Sequence, residues 1–106
     1  MITLHIRYTL DMGKLPEFEA YLKALPPVVE RCGGVPAGYY LPTKIAGPMN
    51  AAVGMTDFPS LVAYASFREK MAADREGLEM RRRVEASGAI LGEDRSFVSC
   101  VPESRR

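Results

Sequence analysis

The sequence predicts an α+β domain in which one antiparallel sheet carries two helices on one face. Three observations predict it. Residues 2–10 alternate between apolar and polar side chains, the period of a strand. Two longer stretches, one before Gly33-Gly34 and one after Ser60, repeat apolar residues at three- and four-residue spacing, the period of a helix. Two short strand-like runs follow the first of these stretches and one follows the second.

The elements follow in order. In the first strand Ile2, Leu4, Ile6, Tyr8 and Leu10 share one face, and Thr3, His5, Arg7 and Thr9 the other. Asp11-Met12-Gly13 is a turn. A helix runs from about Lys14 to Cys32, with Leu15, Phe18, Leu22, Leu25, Val29 and Cys32 on one stripe. Pro16 fits its first turn, whereas Pro26-Pro27 predict a kink or break near Leu25. Gly33-Gly34 supply the stop. The second strand covers about Val35 to Leu41. Pro42 to Asn50, with two prolines and Gly47, reads as a loop. The third strand is about Ala51 to Phe58. Ser60 is a candidate N-cap for a helix from Leu61 to about Ala73. A further helical piece runs from about Asp74 to Ser87, weakened by Gly77. The last strand is about Arg95 to Val101, and Pro102 to Arg106 is expected to be a loose tail. The order β-α-β-β-α-β is the ferredoxin-like arrangement.

A chain of 106 residues predicts a single domain spanning 1–106. A net charge of +1 gives no electrostatic case for nucleic acid or an anionic membrane. Two cysteines make no disulfide scaffold, and no run approaches a membrane span of ~20 apolar residues. The N-terminus lacks the pattern of a signal peptide, so a cytoplasmic location is expected. The apolar face of the first strand is too large to leave in water. Covering it with a second copy of the sheet predicts a homodimer.

His5 is the only histidine, hence the only imidazole for acid–base work. If its strand face looks under the helices, His5 and Arg7 project into a ligand cavity. Arg7 then holds a carboxylate or enolate while His5 moves a proton. The plainer alternative is a polar strand face paired to helix carboxylates. A lone histidine makes no metal site. Arg68 interrupts the apolar stripe Leu61, Tyr64, Met71. It must pair with Asp57, Glu69 or a carboxylate of the first helix, or meet an anion at a pocket mouth. Tyr39, Tyr40 and Tyr64 can shape a pocket and donate to a substrate oxygen, or simply fill the core. Phe67 and Met71 are core or cavity wall. Arg81-Arg82-Arg83, flanked by Glu76, Glu79 and Glu85, reads as a solvated, ion-paired helix face rather than a nucleic-acid site. Cys32 and Cys100 read as buried, inert thiols. No phosphate loop or dinucleotide fingerprint is present, and no cofactor is implied.

The chain resembles the NIPSNAP family, in particular its short bacterial members. The residues that carry the resemblance are Ile6-Arg7-Tyr8, Glu17-Phe18-Glu19, and Gly33-Gly34 followed by Gly38-Tyr39-Tyr40-Leu41-Pro42. Phe58-Pro59-Ser60-Leu61 with Ala63-Tyr64 come next, then Arg68, Met71, Asp74 and Arg95-Ser96-Phe97. The resemblance covers nearly the whole chain and implies the dimeric α/β-barrel superfamily, whose members bind ligands between sheet and helices. It does not imply one reaction. The chain has no tryptophan, and Met71-Ala72-Ala73-Asp74 stands where some cyclase members carry a histidine. The expectation is a small-molecule-binding protein without a cofactor, for an aromatic or enolisable ligand. As a cofactor-independent isomerase, cyclase or monooxygenase it would use His5 as base, with Arg7 and Arg68 stabilising the anion. Tyr39 or Tyr64 would orient the substrate, and Phe67 and Met71 would line the wall. The alternative is a non-catalytic binding or interaction module. A third is haem ligated by His5.

Overall fold

The computed structural model describes residues 1–43, 45 and 49–101. The expected loose tail Pro102 to Arg106 lies outside them, as do Lys44 and residues 46–48 of the expected loop.

The described residues form strands β1 (Ile2–Leu10), β2 (Val35–Tyr40), β3 (Ala51–Phe58) and β4 (Ile90–Val98), with helices α1 (Leu15–Arg31), α2 (Leu61–Ala73) and α3 (Arg75–Ser87). The strands pair antiparallel in the order β2-β3-β1-β4. The ferredoxin-like α+β reading holds, with the second helical segment made of two helices, α2 and α3.

Helix α1 runs through Pro26 and Pro27, so of the expected kink or break the break does not occur. Two backbone donors are lost there. The stripe Phe18, Leu22, Leu25, Val28 and Val29, all buried, holds the helix on the sheet across the gap. Asp74 divides α2 from α3. Its side chain accepts from the Gly77 N–H at 2.8 Å and so caps the start of α3. Gly77 lets α3 approach α1 closely, because a Cβ there would lie 3.1 Å from Val28.

Strand β4 begins at Ile90, five residues before the expected start, and ends at Val98. Charged residues at positions 93–95 hide the alternation. Cys100 therefore lies beyond the sheet and is exposed, so only Cys32 is the buried thiol that was expected of both. In β2 the register shifts between Pro36 and Gly38, whose φ of +148° suits glycine, and Tyr39 then pairs with Gly54.

The apolar face of β1 is covered by the chain's own helices. Leu4 and Tyr8 are buried, and the rings of Tyr8 and Phe18 meet edge to face at 5.0 Å. The expectation that a second copy of the sheet covers this face is corrected: α1, α2 and α3 cover it. The open face carries Thr3, His5, Arg7 and Thr9 instead. Thr3 and Asp57 on it are buried and joined by a 2.6 Å hydrogen bond. Among the described residues no helix is long and apolar enough to cross a membrane.

Candidate functional site

A cavity of about 320 Å³ lies between the sheet and the helices, within the range of small-molecule sites. The strand pairing fixes its long axis. Leu4, Ile6 and Tyr8 of β1 form the floor. Their partners on β4 are Phe97, Arg95 and Glu93 respectively, so the floor runs from an aromatic end to a charged end. Four residues of strand make that run roughly 13 Å. The roof comes from α1, α2 and α3, with Leu25, Phe67, Met71 and Leu78 among the lining side chains.

Three arginines line this apolar space: Arg68 of α2, Arg81 of α3 and Arg95 of β4. Their electrostatic states differ. Arg81 is held by Glu85 and Glu93, and Arg95 reaches Glu93 at 3.4 Å. Burial works against the Arg81 charge, but hydrogen bonds to Glu85, Tyr21 and Glu93 outweigh it and raise its pKa. Arg68 Nη1 donates to the Tyr64 hydroxyl at 3.2 Å. Among the described residues it has no carboxylate partner: neither Asp57, Glu69 nor an α1 carboxylate pairs with it. It sits at the Leu4 end, because Tyr64 packs edge to face on Phe97 at 4.8 Å and Phe97 pairs with Leu4.

The polar groups inside are hydroxyls. Tyr39 and Thr56 share a hydrogen bond at 3.3 Å. Burial pushes the Tyr39 phenol above its ordinary pKa, against the hydrogen bond to Thr56. Burial, with Tyr21 and Glu93 nearby, pushes Tyr8 well above 10. Both phenols are therefore protonated at neutral pH. Among the described residues no histidine or carboxylate lines the cavity. Its chemistry is that of hydrogen-bond donors and one unneutralised guanidinium facing an apolar body.

Several expected site residues meet here. Tyr39, Phe67, Arg68 and Met71 line the cavity. Tyr64 stands behind the lining, where it supports the Phe58 and Phe67 rings and holds Arg68. His5 and Arg7 are not brought into it. Period-2 alternation puts them on the opposite face, where His5 pairs in register with Met55 and Ser96, and Arg7 with Val53 and Asp94. The expectation that this polar face looks under the helices is corrected: the helices bury the apolar face, which removes more apolar surface from water.

Arg81, Arg95, Tyr8, Tyr21 and Thr56 were missed as site residues. Arg81 begins the basic run read as solvated. That reading holds for Arg82 and Arg83, which pair with Glu79 at 3.7 and 3.5 Å. Arg81 lies one position past Met80 and four past Gly77, at the edge of the buried stripe of α3, and this spacing was the available signal. Among the described residues no group of three or more histidines, cysteines or carboxylates is placed to hold a metal ion.

The same architecture occurs in solved structures. An uncharacterized NIPSNAP domain protein from Burkholderia xenovorans superposes with a TM-score of 0.82 at 17% identity, covering 100% of both chains. A NIPSNAP family protein from Agrobacterium tumefaciens gives 0.83 at 22% identity, over 97% of this chain and 88% of that one. An antibiotic biosynthesis monooxygenase gives 0.71 at 10% identity, over 96% and 100%. At these identities the likeness shows the fold. No curated protein matches the chain. The NIPSNAP family model matches residues 4–105, nearly the whole length, and with the β-α-β-β-α-α-β order described above it establishes that the chain belongs to the NIPSNAP family.

Proposed function

We propose that the protein binds a small organic anion with an apolar body, an aromatic or enolisable acid, in the cavity between sheet and helices. One observation carries this reading. Arg68 lines an apolar cavity and, among the described residues, no carboxylate neutralises it. A guanidinium so placed favours a carboxylate or enolate, which it can grip through two parallel hydrogen bonds. The Tyr8 and Tyr39 side chains add polar hydroxyl groups to the lining. A thermal-shift titration with benzoate and its homologues tests the reading. At a hundred times its dissociation constant a ligand adds about 2.7 kcal/mol. That raises the melting temperature by several degrees in a domain of this size.

A second reading is a cofactor-independent enzyme acting through an enolate. The donor set of arginine and tyrosines favours it, since such groups stabilise developing negative charge. The monooxygenase with this fold lends it analogy alone. Among the described residues no lining residue is an ordinary general base. A substrate would therefore have to be acidic enough to bind as its enolate.

We also infer that the open sheet face docks against a second copy of the chain. Val35, Tyr40 and Val98 are exposed apolar or aromatic side chains on that face, at 57%, 54% and 44%. His5, Val53 and Met55 lie between them in the strand register. An apolar sheet face of this kind is commonly covered in an assembly.

A further inference from the structure

Tyr21 lines two cavities at once. One is the cavity described above. The other, of about 210 Å³, lies in the groove between α1 and α3, where Ala20, Ala24, Met80 and Val84 make the apolar part of a lining that Glu17, Arg83 and Ser87 share. Tyr21 is half-buried between them. Its ring lies 6.2 Å from that of Phe18, and its hydroxyl meets the Arg81 guanidinium.

The register orients the first cavity relative to Tyr21. Arg68 marks the Leu4 end through Tyr64 and Phe97. Tyr21 marks the Tyr8 end: Phe18 packs on both rings, and Arg81 holds Glu93, the β4 partner of Tyr8. An anion gripped by Arg68 therefore directs its apolar body along the floor toward Tyr21. At that end the two neighbouring arginine charges are already neutralised by Glu93 and Glu85, so the end suits an uncharged tail.

The geometry points to Tyr21 as the end wall that sets the length of ligand the site accepts, with the α1–α3 hollow as the space a longer tail enters once the ring is out of the way. The ligand class is then a monocarboxylate with an elongated apolar tail, the acid at Arg68 and the tail end at Tyr21. This rests on the anion-binding reading of Arg68. The hydroxyl is not the barrier in this account; the ring is.

The test is calorimetric titration of benzoate, phenylpropanoate, phenylpentanoate and phenyloctanoate into the wild-type chain, Tyr21→Ala and Tyr21→Phe. Wild type and Tyr21→Phe are expected to stop gaining affinity at the same chain length. Tyr21→Ala is expected to go on gaining, and to bind phenyloctanoate about tenfold tighter than wild type. If Tyr21→Ala does not fold, Tyr21→Leu, which also removes the ring, replaces it with the same expected result. A length limit shared by the wild-type and ring-deleted chains, with benzoate still bound in an Arg68-dependent way, overturns the end-wall role and leaves the anion site standing. A limit that moves in Tyr21→Phe also overturns it. Failure of every probe to bind wild type and the ring-deleted chain overturns both the end wall and the anion site.

Discussion

The Arg68 guanidinium donates to the Tyr64 hydroxyl at 3.2 Å, one helical turn away on α2, and the Tyr64 ring is fixed edge to face between Phe58 and Phe97 at 5.2 and 4.8 Å. An exposed arginine is thereby positioned by a neutral partner. It keeps its full charge while losing some of its freedom, the arrangement that suits binding an anion from solution.

Tyr64→Phe should therefore weaken anion binding without abolishing it. The ring contacts survive and only the hydroxyl is lost. A severalfold rise in dissociation constant for benzoate, with the melting temperature nearly unchanged, is the expected outcome of paired titration and thermal denaturation. An affinity equal to wild type would show that the hydroxyl does not position Arg68.

Glu93 neutralises two cavity arginines at once, and its side chain is only 14% exposed. Glu93→Gln should leave Arg81 and Arg95 short of counter-charge. Urea denaturation is expected to show a loss of about 1–3 kcal/mol. Anion affinity should rise in the same variant, because the cavity becomes more positive. Lower affinity in a folded Glu93→Gln would contradict the electrostatic account of the site.

The cavity was legible in part. Arg68 and Met71 fall on the α2 stripe that periodicity shows, whereas Phe67 reads only as core or cavity wall and Tyr39 only as one of several tyrosines able to shape a pocket. The alternation of β1 showed two faces clearly, but alternation does not say which face the helices cover. His5 and Arg7 are the chemically richer pair, whereas burial favours Leu4, Ile6 and Tyr8. The start of β4 was hidden for a related reason. Glu93 and Arg95 occupy inward positions, which reads as a loop until Arg81 on a distant helix supplies the partner. Ion pairs across 12 residues or more leave no local periodic trace.

His5→Ala and Arg7→Ala serve as controls on the other sheet face. Both are expected to bind cavity ligands as wild type does. If the open face meets a second copy, sedimentation of the wild-type chain at micromolar concentration gives a dimer and Tyr40→Lys a monomer. A monomeric wild type at that concentration would remove the dimer from the account.

Arg31 grips Asp74 through two hydrogen bonds, 2.7 and 2.9 Å, and ties the end of α1 to the α2–α3 junction. The Arg31 guanidinium, with the Gly77 N–H, holds the Asp74 carboxyl well below the usual carboxylate range. A carboxylate whose folded pKa is depressed stabilises the fold above its unfolded pKa, and that contribution is lost as pH falls through the folded value. Asp74→Asn should lower the melting temperature at neutral pH and flatten its decline below the ordinary value of 3.8. Parallel melting curves from pH 7 to strong acid for both chains would argue against this clamp.

The two thiols should separate cleanly. Cys32 is 3% exposed and burial raises its pKa, whereas Cys100 is exposed. A thiol-reactive dye should label one equivalent quickly in the native protein and the second only on unfolding. Rapid labelling of both would mean that the α1 end opens in the native state.

The central claim is that Arg68 is the anion anchor of this cavity, and titration of benzoate into wild type and Arg68→Gln tests it most directly. The account predicts saturable binding to wild type and at least a tenfold weaker dissociation constant for Arg68→Gln, with unchanged stability, since Arg68 is exposed and, among the described residues, pairs only with Tyr64. Equal binding by the two chains, or no binding by a folded wild type, would contradict it.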